Sequence, residues 1–503
     1  MLLCAPISGW ASDAPKPLKP GDPIISIPLE PLGFLGMPAA QLVGGATMFT
    51  VHFADNTHIL LTFNSHGLIP RLNDGVPQGD DRLITALLVE LPTGKVLART
   101  TWHTRDRDQY LWPLAHGLFL LRIRTKLTVI DPVHSFTVGG DAFHELPFLQ
   151  LDNRIGYISL SPGGDLLCVE TIVPPHPQGQ TTKDGTPQVL QFDTQPTADL
   201  RFYRLIFVPG EGGQPQLRAQ AAGEVGARSL IRVAATAEGF LDIMKESNKT
   251  WLFDFQSHAG KRMELSPFDT TCAPSPYFVS RTEFIALGCR GSDTHVMLSG
   301  FNLRGEQPWI QVLAGQQISP LIVAAPDAGR FAFSRILVSG SFYDVQNLLP
   351  EELSGQEIQV IQNHDGRVLL HVQASPIQRT GQNFDLSADG LSLTLIRNGN
   401  LEVYRLPELT PKDAEQVKRA AADVMEKTEA RIGLMSKRPA ANPKAAAQPP
   451  AAQPAVPASA LEPAMTLSTP AQPKANAGDA QPDDAPRAAP SLYGPDYPKN
   501  PKK

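Results

Sequence analysis

Seven short segments of one shape, a last segment that lacks its closing strand, and an unattached strand ahead of the first together predict an all-β fold. They specify a seven-bladed β-propeller closed by an N-terminal strand, followed by a short α-helix and a disordered Pro/Ala-rich tail. Each segment reads strand, small or polar turn, apolar strand: HFADNTHILLTFN from His52, WPLAHGLFLLRIR from Trp112, SLSPGGDLLCVET from Ser159, VAATAEGFLDIMKE from Val233, YFVSRTEFIALGCR from Tyr277, VAAPDAGRFAFSR from Val323 and DLSADGLSLTLIR from Asp385. Second apolar pairs such as LLVELPTGKVLAR (87–99), VMLSGFNLRGEQPWIQV (296–312) and IQVIQNHDGRVLLHV (358–372) lie between them. Four short strands per unit of roughly 45 residues, repeated several times, is a propeller pattern. One such sheet cannot bury both faces, but stacking on two neighbours around a ring does. The stretch between Ser159 and Val233 is the least regular, which leaves six or eight blades open beside seven.

The elements follow in order. MLLCAPISGW is apolar and ends in Gly9-Trp10-Ala11, with small residues where a signal peptidase reads, and a Pro/Lys linker follows. A basic leading region is missing, so residues 1–11 read as a truncated signal peptide whose start lies upstream, or else as an ordinary terminus. Cys4 follows Leu2-Leu3, which argues against a lipid anchor. Residues 12–22 form the linker and 23–407 the propeller. The protein is expected in the periplasm or secreted.

The last blade supplies strands near Phe384, Leu391 and Leu401 but no fourth. An open blade would leave sheet edges able to pair with other chains. Pro23 to Phe34 carries Ile25, Ile27 and Leu29 in strand rhythm and belongs to no hairpin of its own. It is expected to pair with the 400–406 strand and tie the two ends of the ring together.

After Leu409 the pattern becomes helical over 408–436. Thr410 is a natural N-cap, Pro411 suits the first helical position, Asp413 and Glu415 favour the positive end, and Val417, Ala421, Val424 and Ile432 give a partial apolar stripe. The helix is expected on the propeller's flank. From 438 to 503 there are 15 prolines, and no apolar face offsets the entropy of ordering, so 437–503 is expected to be disordered.

The formal charge of −6 is spread without single-sign blocks, so no nucleic-acid footprint is visible. No apolar run is long enough for a membrane helix. Arg122, Arg124 and Lys126 alternate and read as a solvated face. There is no G-x-S-x-G elbow, no C-x-x-C and no glycine-rich phosphate loop, and His144-Glu145 lacks the second histidine of a zinc-protease helix. No catalytic residue and no metal ligand set is assigned.

Connection length says more. The a–b turns (strands lettered a to d within a blade) are tight at Asp55-Asn56, Ala115-His116, Gly163-Gly164, Ala237-Glu238, Ser280-Arg281, Asp327-Ala328 and Asp389-Gly390. Length accumulates in the b–c loops at 64–81, 172–186 and 338–357 and in d–a connections at 139–156 and 206–228. In a four-stranded meander these leave by the same ring face, and insertions on one face mark a binding face. Two stretches there are chemically rich. LNDGVPQGDDR offers Asp74, Asp80 and Asp81; HTRDRDQYLW offers His103, Arg105, Asp106, Arg107, Asp108 and Tyr110. Paired carboxylates can hold Ca²⁺ or serve as acid and base, although solvated charges with arginines pairing aspartates are the commoner arrangement.

The two cysteines Cys272 and Cys289 are equidistant from the Ser280-Arg281 turn. Residues so placed face one another across a hairpin, so a disulfide is expected if the chain meets an oxidising compartment. Cys168, inside DLLCVE, reads as a small core residue.

SLSPGGDLLCVET, LSADGLSLTLIRNGNLEVYRL and HGLFLLRIRTKLTVID resemble the repeats of WD40-like and YVTN-like bacterial propellers, and residues 23–407 are similar to uncharacterised exported bacterial propeller proteins. The resemblance implies a fold and leaves activity open, because propellers host scaffolds, lactonases and quinoprotein dehydrogenases alike. The expectation is a monomeric binding or scaffold module taking a protein or glycan on the loop-rich face, with no nucleic acid and no membrane span. The alternative is a propeller enzyme of lactonase, quinoprotein or glycan-active type working at the same face or in the central channel.

Overall fold

The computed structural model describes residues 21–34, 48–64, 82–104, 109–137, 143–173, 177–178, 191–192, 197–210, 215–227, 233–258, 260–290, 295–339, 350–378 and 381–421. Strand pairing resolves them into seven antiparallel blades. Blade 1 is Thr50–Asp55, His58–Asn64, Arg82–Glu90 and Val96–Thr104. Blade 2 is Leu111–Pro113, Phe119–Ile123, Lys126–Asp131 and His144–Gln150. Blade 3 is Arg154–Leu160, Leu166–Val173, Thr197–Pro209 and Pro215–Ala227. Blade 4 is Ala235–Thr236, Gly239–Lys245, Thr250–Ser257 and Arg262–Glu264, with Phe268–Asp269 pairing the other end of its third strand. Blade 5 is Ser275–Phe278, Glu283–Arg290, His295–Asn302 and Trp309–Leu313. Blade 6 is Gln316–Ala325, Arg330–Val338, Leu353–Gln362 and Val368–Ala374.

Blade 7 takes Phe384–Leu386, Ser392–Arg397 and Asn400–Arg405 from one end of the ring and Ile25–Pro28 from the other. The register sets Ile25 opposite Val403 and Ile27 opposite Leu401. Ile24 N donates to Val403 O at 2.8 Å and Leu29 N to Gly399 O at 2.9 Å, extending the ladder beyond both strand ends. The expected period of two places Ile27 inside and leaves Ser26 and Pro28 exposed. Pro28 lacks an N–H, and an edge strand is where that is tolerated. Gly94, at φ +73° in the c–d turn of blade 1, lies so close that a Cβ there would stand 2.7 Å from Ile27 Cγ2.

The core is divided among the blade junctions. Leu29, Phe49, Val51, Leu61 and Leu401 fill the junction of blades 7 and 1; Leu60, Leu88, Trp102, Leu111 and Phe119 fill that of 1 and 2. Phe253, Phe268, Phe284 and Phe301 fill blades 4 and 5, with Phe253 and Phe284 crossing edge to face at 5.2 Å between centroids. Among the described residues the junction of blades 3 and 4 is the thinnest, built on Leu166, Cys168, Leu200, Phe202 and Ala235. Burial there pushes the Cys168 thiol up to about 12, the behaviour of an inert core residue.

Four expectations change. The segment 139–156 is not a d–a loop, because His144–Gln150 is the fourth strand of blade 2 and only 151–153 turn toward blade 3. The extra length there sits in the c–d connection, which carries a short helix, Pro132–Thr137. The segment 206–228 is likewise the c–d hairpin of blade 3. Leu205 N still donates to Asp165 O at 2.9 Å; beyond it the two strands run on with only each other, from Ile206 opposite Arg218 to Pro209 opposite Pro215. This extension leaves by the face of the a–b turns, where the Phe207 ring meets His116 at 4.8 Å.

Arg122 is buried while Arg124 and Lys126 are exposed. Its guanidinium donates to Ile155 O at 3.0 Å and Arg124 O at 3.3 Å, so the blade 2–3 junction takes in a side chain that alternation assigned to solvent. The C-terminal helix lies not on the flank but over the a–b and c–d turns of blades 5 and 6. Thr282 Oγ1 donates to Ala420 O at 3.5 Å, and a Cβ on Gly329 would meet Val417 Cγ2 at 2.7 Å.

The Cys272–Cys289 disulfide is present, with Cα atoms 5.4 Å apart. The hairpin register pairs Ser275 with Leu287, so Cys272 sits on a bend ahead of the strand. The bridge ties that bend to the strand, assisted by Thr271 N donating to Cys289 O at 3.1 Å and Cys289 N to Thr270 Oγ1 at 2.8 Å.

Candidate functional site

Most residues of the expected binding set, Asp74, Asp80, Asp81, Arg105, Asp106, Arg107 and Asp108, lie outside the described residues, as does the tail from 437 onward. The structure places two. His103 is half-buried in the outer strand of blade 1, opposite Leu83. Tyr110 is 2 % exposed and belongs to the core between blades 1 and 2, its hydroxyl donating to Met48 O at 2.6 Å and bonded to Thr62. Burial raises that phenol well above its usual range. The charged stretch HTRDRDQYLW made Tyr110 a binding candidate in sequence; here its hydroxyl is satisfied inside the core.

A polar convergence among the described residues lies on the opposite face, where tight turns meet the C-terminal helix. Thr410 caps that helix: Asp413 N donates to Thr410 Oγ1 at 3.2 Å and Thr410 N to Asp413 Oδ2 at 3.1 Å, a reciprocal pair. Asp413 is buried and accepts from Arg367 at 3.1 and 3.0 Å. Burial alone would raise its carboxyl, but the bonds from Thr410 and Arg367 win and hold it below the usual range. The chain reaches this helix past Arg330, which is fully buried and donates to Gln362 Oε1 at 3.1 Å, Gly390 O at 2.7 Å and Pro407 O at 2.7 Å.

Beneath the helix is a cavity of about 330 Å³. Its polar wall comes from two turns. In blade 5, Ser280 closes the a–b turn and Glu283 opens the second strand, with Glu283 N bonded to Ser280 Oγ at 3.0 Å. In blade 6, Asn363 follows the third strand and is fixed through its backbone: N donates to Gly329 O at 2.8 Å, and O accepts from Trp309 Nε1 at 2.6 Å. Asn363 Nδ2 and Ser280 Oγ both donate to Glu283 Oε2 at 3.2 Å. Desolvation raises the Glu283 carboxyl above the usual carboxylate range, outweighing those bonds and the electrostatic pull of nearby His364 and Arg304. Val417 and Ala420 of the helix and Pro326 supply the apolar wall, and Asp327 stands at the side, exposed. Arg281, also on the wall, is ion-paired with Asp165 of blade 3.

His364, Asp365 and Asp413 place one ligand atom each within 4.8 Å of one another, a spacing that a metal ion can use. Arg367 already engages both Asp413 oxygens and approaches Asp365 at 3.3 Å, so the group works as an ionic lock between helix and blade 6. Little in the sequence singles out Glu283 or Asn363. Both sit beside tight turns, where the repeat pattern explains the residues already; only the Asn-His pair ahead of Asp365-Gly366 departs from turn chemistry.

No family model and no curated protein matches the chain. Among solved structures it is similar to the acylaminoacyl peptidase of Pyrococcus horikoshii, at 10 % identity and TM-score 0.42 over 75 % of this chain and 54 % of that one. A puromycin-hydrolyzing peptidase of Mycobacterium tuberculosis gives 11 % and 0.37 over 78 % and 58 %, and hydrazine synthase of Kuenenia stuttgartiensis 11 % and 0.35 over 75 % and 99 %. The chain thus spans little more than half of either peptidase. Likenesses this distant carry no activity across, and the propeller stands on its own strand pairing.

Proposed function

We propose that the protein is an exported binding and scaffold module of the WD40-like or YVTN-like kind, holding a protein or glycan partner on the face where its b–c connections emerge. One observation carries this reading: the three longest connections share one face, while the added length on the other face is confined to the c–d connections of blades 2 and 3. The b–c connections of blades 1, 3 and 6 span 65–81, 174–196 and 339–352, whereas the a–b connections are tight turns in all seven blades. The blade 3 connection contains a small hairpin of its own, Pro177–Gln178 with Gln191–Phe192. Length added where it does not disturb the blades is where recognition evolves on a rigid scaffold. The first of these connections carries Asp74, Asp80 and Asp81, carboxylates of the kind that can hold Ca²⁺. The Cys272–Cys289 bridge and the Gly9-Trp10-Ala11 stretch support export. No helix among the described residues is long and apolar enough to cross a membrane.

The test replaces 65–81 and 174–196 by short hairpin turns and compares partner capture by cross-linking and glycan arrays. The variant should melt with the parent and lose the partner. Equal capture by parent and variant overturns the reading. Turnover of a lactone, a glycan or a quinone-linked substrate that depends on the same connections would replace it with the enzymatic alternative.

A further inference from the structure

The cavity under the C-terminal helix is on the face away from the long connections, and its chemistry is unbalanced. Asn363 is 6 % exposed, yet no donor among the described residues reaches its Oδ1. A buried acceptor left in that state costs about 1–3 kcal/mol unless something fills the place. Beside it stands the Glu283 carboxyl, whose ionised form burial disfavours. Three basic groups around the cavity are engaged, Arg281 with Asp165, Arg304 with Glu306 at 3.0 Å, and His364 beside Asp365 and Asp413 at 3.4 and 3.6 Å, and a fourth, Arg419 of the helix, borders the adjoining cleft within electrostatic reach of Glu306. Among the described residues no basic side chain is in ion-pair contact with Glu283 or Asp327. The site therefore presents acceptors and negative charge against an apolar wall of Val417, Ala420 and Pro326.

We propose that this cavity binds a primary ammonium group on a short alkyl stem, with the ammonium donating to Asn363 Oδ1 and Glu283 and the stem lying along the helix. An ammonium offers three donors and no acceptor, which suits the unfilled Asn363 Oδ1 and the Glu283 carboxylate beside it. It also supplies the charge that stabilises the ionised Glu283 carboxyl, whereas a hydroxyl of the same length does not. The volume is at the small end for ligand sites, suited to a linear amine or to one lysine side chain. The same chemistry comes from two sources, a free amine or a lysine presented by another protein.

Calorimetric titration of the full chain with n-pentylammonium tests it, with n-pentanol as the uncharged control. Saturable binding of the ammonium is expected, with pentanol at least tenfold weaker. Glu283→Gln keeps an acceptor for Ser280 and Asn363 and should weaken the ammonium about tenfold, a difference of about 1.4 kcal/mol. Should that variant fail to fold, Asp327→Asn, at an exposed position, should still weaken binding about threefold. A peptide with one exposed lysine, titrated alongside, separates the sources: tighter binding than the free amine assigns the site to a protein side chain, weaker binding to a small amine. Pentanol matching the ammonium, no saturation by either amine or peptide, or unchanged affinity in the folded variants overturns the proposal.

Discussion

Between blades 7 and 1, His52 and Asp385 lie side by side in the interior, Nδ1 and Oδ2 3.8 Å apart. Gln382 Nε2 donates to His52 Nδ1 and to Asp385 Oδ1, both at 3.2 Å, and Phe53 N donates to Asp385 Oδ2 at 2.8 Å. Burial holds the carboxyl up to about 7 from 3.8, against the pull of the backbone N–H groups, and the imidazole down to about 3 from 6.5. The two groups drive stability in opposite directions. From about pH 3.8 to 7 the folded state keeps a proton on Asp385 that the unfolded chain has lost, so stability falls as pH rises. From about pH 3 to 6.5 the unfolded chain holds a proton on His52 that the folded state refuses, so stability rises. Each slope is about 1.4 kcal/mol per pH unit, and over their shared window they cancel. Asp385→Asn leaves an acceptor for Phe53 N and removes one slope. Relative to the parent, the variant should therefore gain about 1.4 kcal/mol per pH unit between pH 4.5 and 6 in denaturant titrations. Parallel pH profiles for the two proteins would mean that the pair does not titrate as buried neutral groups.

At the scale of elements, the strands and turns were legible because each repeat states its own period. Alternation located Ile25–Pro28 and predicted its partner, and the Thr410-Pro411 start of the helix followed from capping chemistry. What failed were the assignments that needed a neighbour. HELPF reads as a loop until its pairing with Lys126–Asp131 is known, and Arg122 looks solvated until Ile155 O is brought beside it. The disulfide was found by symmetry about a turn, and its one-sided seating on a bend depends on Thr270 and Thr271, which no symmetry argument includes. Reduction opens a loop of 17 residues in sequence separation. It should lower stability by about 3 kcal/mol in the chain-entropy model. The Cys272→Ser/Cys289→Ser protein should match the reduced parent in urea midpoint, and a midpoint equal to the oxidised parent would show that the bridge adds nothing.

At the scale of the molecule, the candidate cavity was the least legible feature. Its wall joins residues 280–283, 326–329, 362–364 and 416–421, which only the ring and the returning helix bring together. Closure, by contrast, was legible from an absence, one strand too few at one end and one too many at the other. Because Leu29 is fully buried in the junction of blades 7 and 1, Leu29→Ala should cost about 2–5 kcal/mol. Deleting Pro23 to Phe34 should be far worse, exposing the edge of Asn400–Arg405 and unroofing Leu401 and Val51. Light scattering and thermal melts of the deletion should report aggregation or a greatly lowered midpoint; a melt like the parent's would remove the strand's structural importance.

The same arrangement sets an order of events on the ribosome. Ile25–Pro28 is made early, but its partner Asn400–Arg405 is made some 375 residues later in the chain. At a synthesis rate of roughly 5–20 residues per second, the strand waits tens of seconds for it. During that interval blades 1 to 6 can form locally while the first and last of them each present a bare flank. Whatever holds or shields the growing chain must do so until nearly the last propeller residue has emerged, and a protein released before about residue 405 cannot complete its final sheet.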